Sequence, residues 1–200
     1  MSNCFLRIDA PNADTLIVTF AGYDKTFGGI PRFVFFNFLE TNFKNVSKQF
    51  YADVLSCSYH NGIYGVSKNI DQSVVFLRNA VKGYKNVIFV GISSGGYAAI
   101  LFGSLLNISS VVAFVPQTIK RKYVDEKYRD LNTFINTQTK YYLYGNTSIS
   151  DVNSPHNISH CERIEHHPNV ILTKVTELDL KKLRDSGELY SIFKKAISLA

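Results

Sequence analysis

Residues 87–106 read VIFVGISSGGYAAILFGSLL, and the fold follows from how the middle of this stretch joins its two ends. Val87–Val90 is a short, continuous apolar run, the pattern of a strand buried on both faces. Gly96–Leu106 is apolar nearly all round, the pattern of a buried helix. Between them Gly91-Ile92-Ser93-Ser94-Gly95 forms G-x-S-x-G in a strand–turn–helix setting. A turn this tight holds its central residue in a strained conformation and needs small neighbours, which Gly91 and Gly95 supply. Ser93 Oγ is then expected to project above the C-terminal edge of a sheet. The N-terminus of the following helix aims backbone N–H groups and a partial positive charge at the same spot. A phosphate-binding P-loop is excluded, because Gly96 and Tyr97 stand where Lys-Ser/Thr would be required. The dinucleotide pattern G-x-G-x-x-G is not met either. A tight βα turn without chemistry is the alternative.

Working outward, Thr15–Phe20 (TLIVTF), Val111–Val115, Tyr141–Tyr144 and Val170–Val175 read as further strands, with Phe5–Ile8 at an edge and Val54–Ser58 a weaker candidate. Ser67–Val81 sets Ile70, Val74, Leu77 and Val81 on one helical face, with Ser67 as N-cap. Tyr123–Ile135 and Leu189–Leu199 read as amphipathic helices. Ile30–Leu39 (IPRFVFFNFL) has no clean period and reads as an irregular strand, as the wall of an apolar pocket or, preferably, as simple core filling. Alternating strands and helices predict an α/β class, a three-layer α/β/α sandwich around a mainly parallel sheet. The 200 residues are expected to form one domain, 1–200, large enough for a real core.

Composition narrows the function classes. Hydrophobic residues make up 46% and charged residues 19%, which excludes disordered and collagen-like chains. No apolar run reaches the roughly 18 residues that span a bilayer, and MSNCFLRIDAPN is not a secretory leader, so a cytoplasmic location is expected. Cys4, Cys57 and Cys161 are odd in number and far apart, and read as reduced thiols. The net charge of +6 is spread out. Lys120-Arg121-Lys122 and Lys181, Lys182, Arg184, Lys194 and Lys195 read as solvated faces, and the 15 Phe and 12 Tyr fit no RNA-binding signature. No nucleic-acid partner is expected.

The run GISSGGYAAILFGSLLNISSVVAFVPQT resembles the α/β-hydrolases, and within them small, lidless hydrolase-like proteins encoded beside surface-polysaccharide biosynthesis genes. The match is specific over about Val87–Thr118. It implies esterase, deacylase or acyltransferase chemistry, on a glycan or another small ester, without a cap domain. It also implies an oxyanion hole made by the N–H of Ser94 and one from the loop after an early strand, here Gly22 or Tyr23, although Gly22 reads equally as a residue that only ends its strand. Serine needs a base oriented by an acid. The acid is expected after the strand Tyr141–Tyr144, where Asp151 stands, though Asp151 also reads as a turn or capping residue ahead of Ser154-Pro155.

The base departs from the family's pattern. The fold places its histidine after the last strand, yet Thr176-Glu177-Leu178-Asp179-Leu180 and everything beyond lack one. His166 and His167 precede that strand and belong at the wrong end of the sheet. His60 follows Val54–Ser58 at the correct end; His156 and His160 share the loop after Asp151. His156 is the leading candidate, in D-x-x-x-x-H with Asp151. The His156-x-x-x-His160-Cys161 spacing is too loose to indicate a metal site. No motif requires a cofactor. Three functions stand: a serine esterase or deacylase, a transferase passing an acyl group from a thioester to a sugar hydroxyl, or an inactive hydrolase-like binding scaffold.

Overall fold

Among the described residues seven strands form one sheet, whose five interior strands are buried on both faces along nearly their whole length. The computed structural model describes residues 4–23, 33–120 and 125–198. Its strands are β1 (Phe5–Ile8), β2 (Thr15–Phe20), β3 (Ser47–Tyr51), β4 (Asn86–Ile92), β5 (Ser110–Phe114), β6 (Lys140–Asn146) and β7 (Val170–Val175). Their order across the sheet is β1-β3-β2-β4-β5-β6-β7, parallel throughout except for antiparallel β1 on β3. The helices are α1 (Phe36–Asn42), α2 (Ile70–Val81), α3 (Ser94–Leu106), α4 (Ser159–Glu162), α5 (Leu180–Asp185) and α6 (Glu188–Ser198).

Period-two alternation sorts the strand side chains between two cores. Leu16, Val18, Phe20 and Phe89 pack with α2 and α3, while Ile17, Ile88, Val90 and Phe114 pack with α1 and α6. This is the expected three-layer α/β/α sandwich, with no cap domain among the described residues. In α3 every residue from Ser94 to Ser104 is buried, as an apolar circumference requires.

The structure differs from the local readings at Val54–Ser58, at Ser67 and over Tyr123–Ile135. Val54–Ser58 is a turn, and the strand lies earlier, in the polar run Ser47-Lys48-Gln49-Phe50-Tyr51. Hydropathy conceals it because Lys48 is buried against Glu40 at 2.9 Å and Gln49 accepts from Tyr51 Oη at 2.7 Å. The turn forms because the Asp53 carboxylate accepts from the backbone N–H of Ser58 (2.6 Å) and Cys57 (3.2 Å), with Ser56, Ser58 and Tyr59 at positive φ. Asn69, not Ser67, caps α2, accepting from Gln72 N–H at 2.8 Å, while Ser67 Oγ is engaged by Ile63 N–H and Ser73 Oγ. Within Tyr123–Ile135 only two 3-10 turns form, Glu126–Tyr128 and Leu131–Thr133. The side chains of Asp125 and Asp130 cap them and cut the segment into single turns; Tyr123 and Val124 lie outside the described residues.

The aromatic stretch is not an irregular strand: where it is described (Ile30, Pro31 and Arg32 are not), Phe36–Leu39 belong to α1, and its side chains both fill the core and wall a pocket. Phe35 packs on Phe114 and Phe193, and Phe36 packs on Phe50. The same stretch walls an open pocket of about 930 Å³, lined on its other side by Leu180, Leu189 and Tyr190.

Candidate active site

Ser93 sits at the junction of β4 and α3 with φ 56° and ψ −119°, a conformation costly for any residue with a side chain. The surroundings enforce it. Ser93 N–H donates to the Phe114 carbonyl at 2.9 Å, and the Ser93 carbonyl accepts from Tyr97 N–H at 3.0 Å. A Cβ at Gly95 would run into the Phe20 carbonyl and Ala21, and one at Gly91 into the Gly95 carbonyl. Both glycines are therefore steric requirements of the elbow. Tyr97 makes the first internal bond of α3, so the amides of Ser94, Gly95 and Gly96 precede the helical ladder and point out of its N-terminus. Gly22 adjoins the same spot: a Cβ there would lie 3.7 Å from Ser93 Cβ and 3.1 Å from the Ile92 carbonyl. Tyr23, the next residue, is 57% exposed.

His156 comes from the loop between β6 and α4, and its Nε2 lies 2.7 Å from Ser93 Oγ. That loop is pinned from inside. Asn157 is buried, donates through Nδ2 to the carbonyls of Ile149 (2.8 Å) and Asp151 (3.1 Å), and bridges to Asn146 at the end of β6. His156 N–H donates to Ser154 Oγ at 3.3 Å. Half-burial, and then the charge of Lys120, hold the His156 imidazole below the ordinary histidine pKa, which favours the neutral ring a base requires.

The structure does not bring Asp151 to this pair. Its exposed carboxylate accepts from Asn153 N–H at 2.9 Å and its carbonyl from Ser154 N–H at 3.0 Å, the turn-capping arrangement. Among the described residues no carboxylate bonds to His156, so Ser93 and His156 stand as a dyad.

His60, His160 and His167 have partners elsewhere. His60 is buried and stacked on Tyr97; its Nε2 lies 3.0 Å from Tyr97 Oη and its Nδ1 accepts from Asp125 N–H at 3.2 Å. Tyr97 Oη itself donates to the Tyr128 carbonyl, so His60 is the neutral Nε2–H tautomer, and burial lowers its pKa to about 4. His160 Nδ1 accepts from Thr118 N–H at 3.2 Å. His167 pairs with Asn132 Oδ1 at 2.9 Å. His156 and His160 thus turn to different partners, and burial pushes the neighbouring Cys161 thiol up to about 12. Among the described residues no three His, Cys, Asp or Glu side chains converge as a metal site would need.

Sequence reasoning missed Lys120. Read as part of a solvated cluster, it is instead 5% exposed, its Nζ donating to Gln117 Oε1 and lying 5.2 Å and 5.0 Å from the ring centroids of Tyr23 and Tyr97. Arg121 and Lys122 lie outside the described residues. Position in the chain carried no signal for this, because the cover over Lys120 comes from residues distant in sequence.

No family model matches the chain, and no curated protein matches it in sequence. Solved structures do match. A Staphylococcus aureus protein of unknown function superposes with TM-score 0.67 at 12% identity, covering 96% of this chain and 94% of its own. The capsule O-acetyltransferase of Neisseria meningitidis serogroup A gives 0.66 at 14%, covering 93% and 89%. A lipase-esterase related protein of Clostridium acetobutylicum gives 0.60 at 13%, covering 96% and 98%. At such identities the likeness is one of fold, and that fold is the α/β-hydrolase architecture.

Proposed function

We propose that this chain is a serine-nucleophile acyl hydrolase, an esterase or deacylase of small or glycan-borne esters. The observation that carries the reading is the 2.7 Å contact between Ser93 Oγ and His156 Nε2 at a strained elbow. Neutral His156 takes the proton as Ser93 Oγ attacks the acyl carbon. The oxyanion that forms faces the amides of Ser94 and of Gly22 or Tyr23. Collapse of the tetrahedral intermediate returns the proton from His156 to the departing alcohol, and water repeats the sequence on the acyl-serine. With no carboxylate of the described residues on His156, the imidazolium is less stabilised than in a triad, so slow turnover on activated esters is expected.

Transfer to a sugar hydroxyl is the second reading, favoured by the fold neighbour described as a capsule O-acetyltransferase, one of whose structures holds CoA. The acyl-serine is common to both, and only the acceptor differs.

Intact-mass analysis after incubation with a fluorophosphonate tests the shared step. The expected result is one adduct on the wild type, absent from Ser93→Ala and much slower in His156→Ala. No adduct on a folded wild type would overturn the reading in favour of a non-catalytic scaffold. An acylated sugar appearing from a thioester donor would select transfer over hydrolysis.

A further inference from the structure

Among the described residues two lysines are almost wholly buried, and they are held in opposite ways. Lys48 has the Glu40 carboxylate at 2.9 Å. Lys120 has no carboxylate within 4 Å among the described residues. Asp53, the buried carboxylate that most feels its charge, is occupied by the Ser58 and Cys57 amides. A buried ammonium without a counter-ion is costly, and such groups concentrate where a ligand completes them.

The position of Lys120 indicates which ligand. Its Nζ spends one N–H on Gln117 Oε1, and Gln117 N–H in turn donates to the Ser93 carbonyl at 3.4 Å. The two aromatic faces beside it belong to Tyr23, which follows Gly22, and to Tyr97, one turn beyond Ser93. Ring faces attract the charge but accept no full hydrogen bond, so ammonium protons remain for an incoming acceptor. Tyr23, exposed and accepting through Oη from Ser58 Oγ at 3.1 Å, sets a solvent-facing ring beside this ammonium. The other groups that face Lys120 are His60, His156, Asp53 and Cys57.

We propose that Lys120 anchors an anionic group of the substrate, so that the esters this site takes carry a carboxylate or phosphate close to the acyl carbon. The proposal rests on the serine-hydrolase reading and names its substrate class. An anion between Lys120 and His156 does two things. It pairs the buried ammonium, and it cancels the repulsion Lys120 exerts on the imidazolium that forms as Ser93 attacks. The benefit therefore appears in kcat as well as KM. Desolvation holds the Lys120 pKa down to about 8, so the preference for anionic esters fades as pH rises through that value.

The test is kcat/KM for two matched pairs of esters: mono-p-nitrophenyl glutarate against p-nitrophenyl valerate, and 3-acetoxybenzoate against phenyl acetate. The first pair places the charge on the acyl side and the second on the alcohol side. The wild type is expected to favour the anionic member of at least one pair by about tenfold or more, the scale of one charge-assisted hydrogen bond. That ratio falls toward one in Lys120→Met, is largely kept in Lys120→Arg, and declines above about pH 8 in the wild type. The wild-type pH profile serves as the readout should Lys120→Met fail to fold. No anionic preference in either pair, or a preference that survives Lys120→Met, overturns the anchor. Fluorophosphonate labelling of the same preparations separates the two readings. A labelled Ser93 without anionic preference removes the anchor alone, whereas an unlabelled Ser93 removes the hydrolase reading beneath it.

Discussion

Ser93 Oγ and His156 Nε2, 63 positions apart in the chain, meet at 2.7 Å across the C-terminal edge of the sheet. The histidine arrives from the loop after β6, not from the loop after β7 where the fold ordinarily carries it. The loop after β6 is also where the acid was expected, so one loop holds both Asp151 and His156 while only His156 turns toward the serine.

Asp151→Asn is expected to change the rate of fluorophosphonate labelling by less than about threefold, because its carboxylate serves its own turn and asparagine can still accept from Asn153 N–H. His156→Ala is expected to slow labelling by about 10²–10⁴, the usual range for losing a general base. Loss of labelling in Asp151→Asn comparable to that in His156→Ala would show that the acid orients the base in solution.

The acid limb of ester hydrolysis should have its midpoint below the ordinary histidine value of about 6.5, since burial and Lys120 both disfavour the imidazolium of His156. Activity requires the neutral ring, so it rises with pH through that midpoint. In Lys120→Met the midpoint moves upward toward 6.5. An unmoved limb in a folded Lys120→Met protein would mean that another group sets it.

His60 makes folding stability depend on acid. Its folded-state pKa, about 4, lies below the unfolded value of about 6.5, so the unfolded chain binds more protons in that interval. The stabilisation is complete above about pH 6.5 and is lost as pH falls toward about 4. Urea melts at pH 7 and pH 4.5 should differ by about 1–3 kcal/mol from this residue. His60→Gln should flatten the difference and still label at Ser93; a slope left unchanged would assign the acid sensitivity elsewhere.

The elbow stores strain that glycine would release. Ser93→Gly is expected to abolish labelling while raising stability by about 1 kcal/mol in thermal or urea melts, glycine alone accepting φ 56° and ψ −119° at no steric cost. Gly95→Ala should do the reverse, destabilising by about 1–3 kcal/mol as its Cβ meets the Phe20 carbonyl. A Gly95→Ala protein as stable as the wild type would show that β2 and α3 can separate at little cost.

Local pattern alone determined the centre of this protein. Thr15–Phe20 and Val170–Val175 are strands with the expected bounds, and the G-x-S-x-G turn joins a strand to a helix, because β-branched apolar runs and all-apolar helices announce themselves in consecutive residues. Tertiary structure decided the rest, wherever a polar side chain finds its partner far along the chain. Ser47–Tyr51 is a strand because Glu40 reaches Lys48 and the backbone of β2 and β1 pairs on either side. Lys120 is buried because Tyr23 and Tyr97 flank it. The choice among His60, His156 and His160 was equally out of reach of spacing. All three follow strands at the C-terminal end of the sheet, and what separates them is the hydrogen bond each ring makes: His60 to Tyr97 and Asp125, His160 to Thr118, and His156 to Ser93.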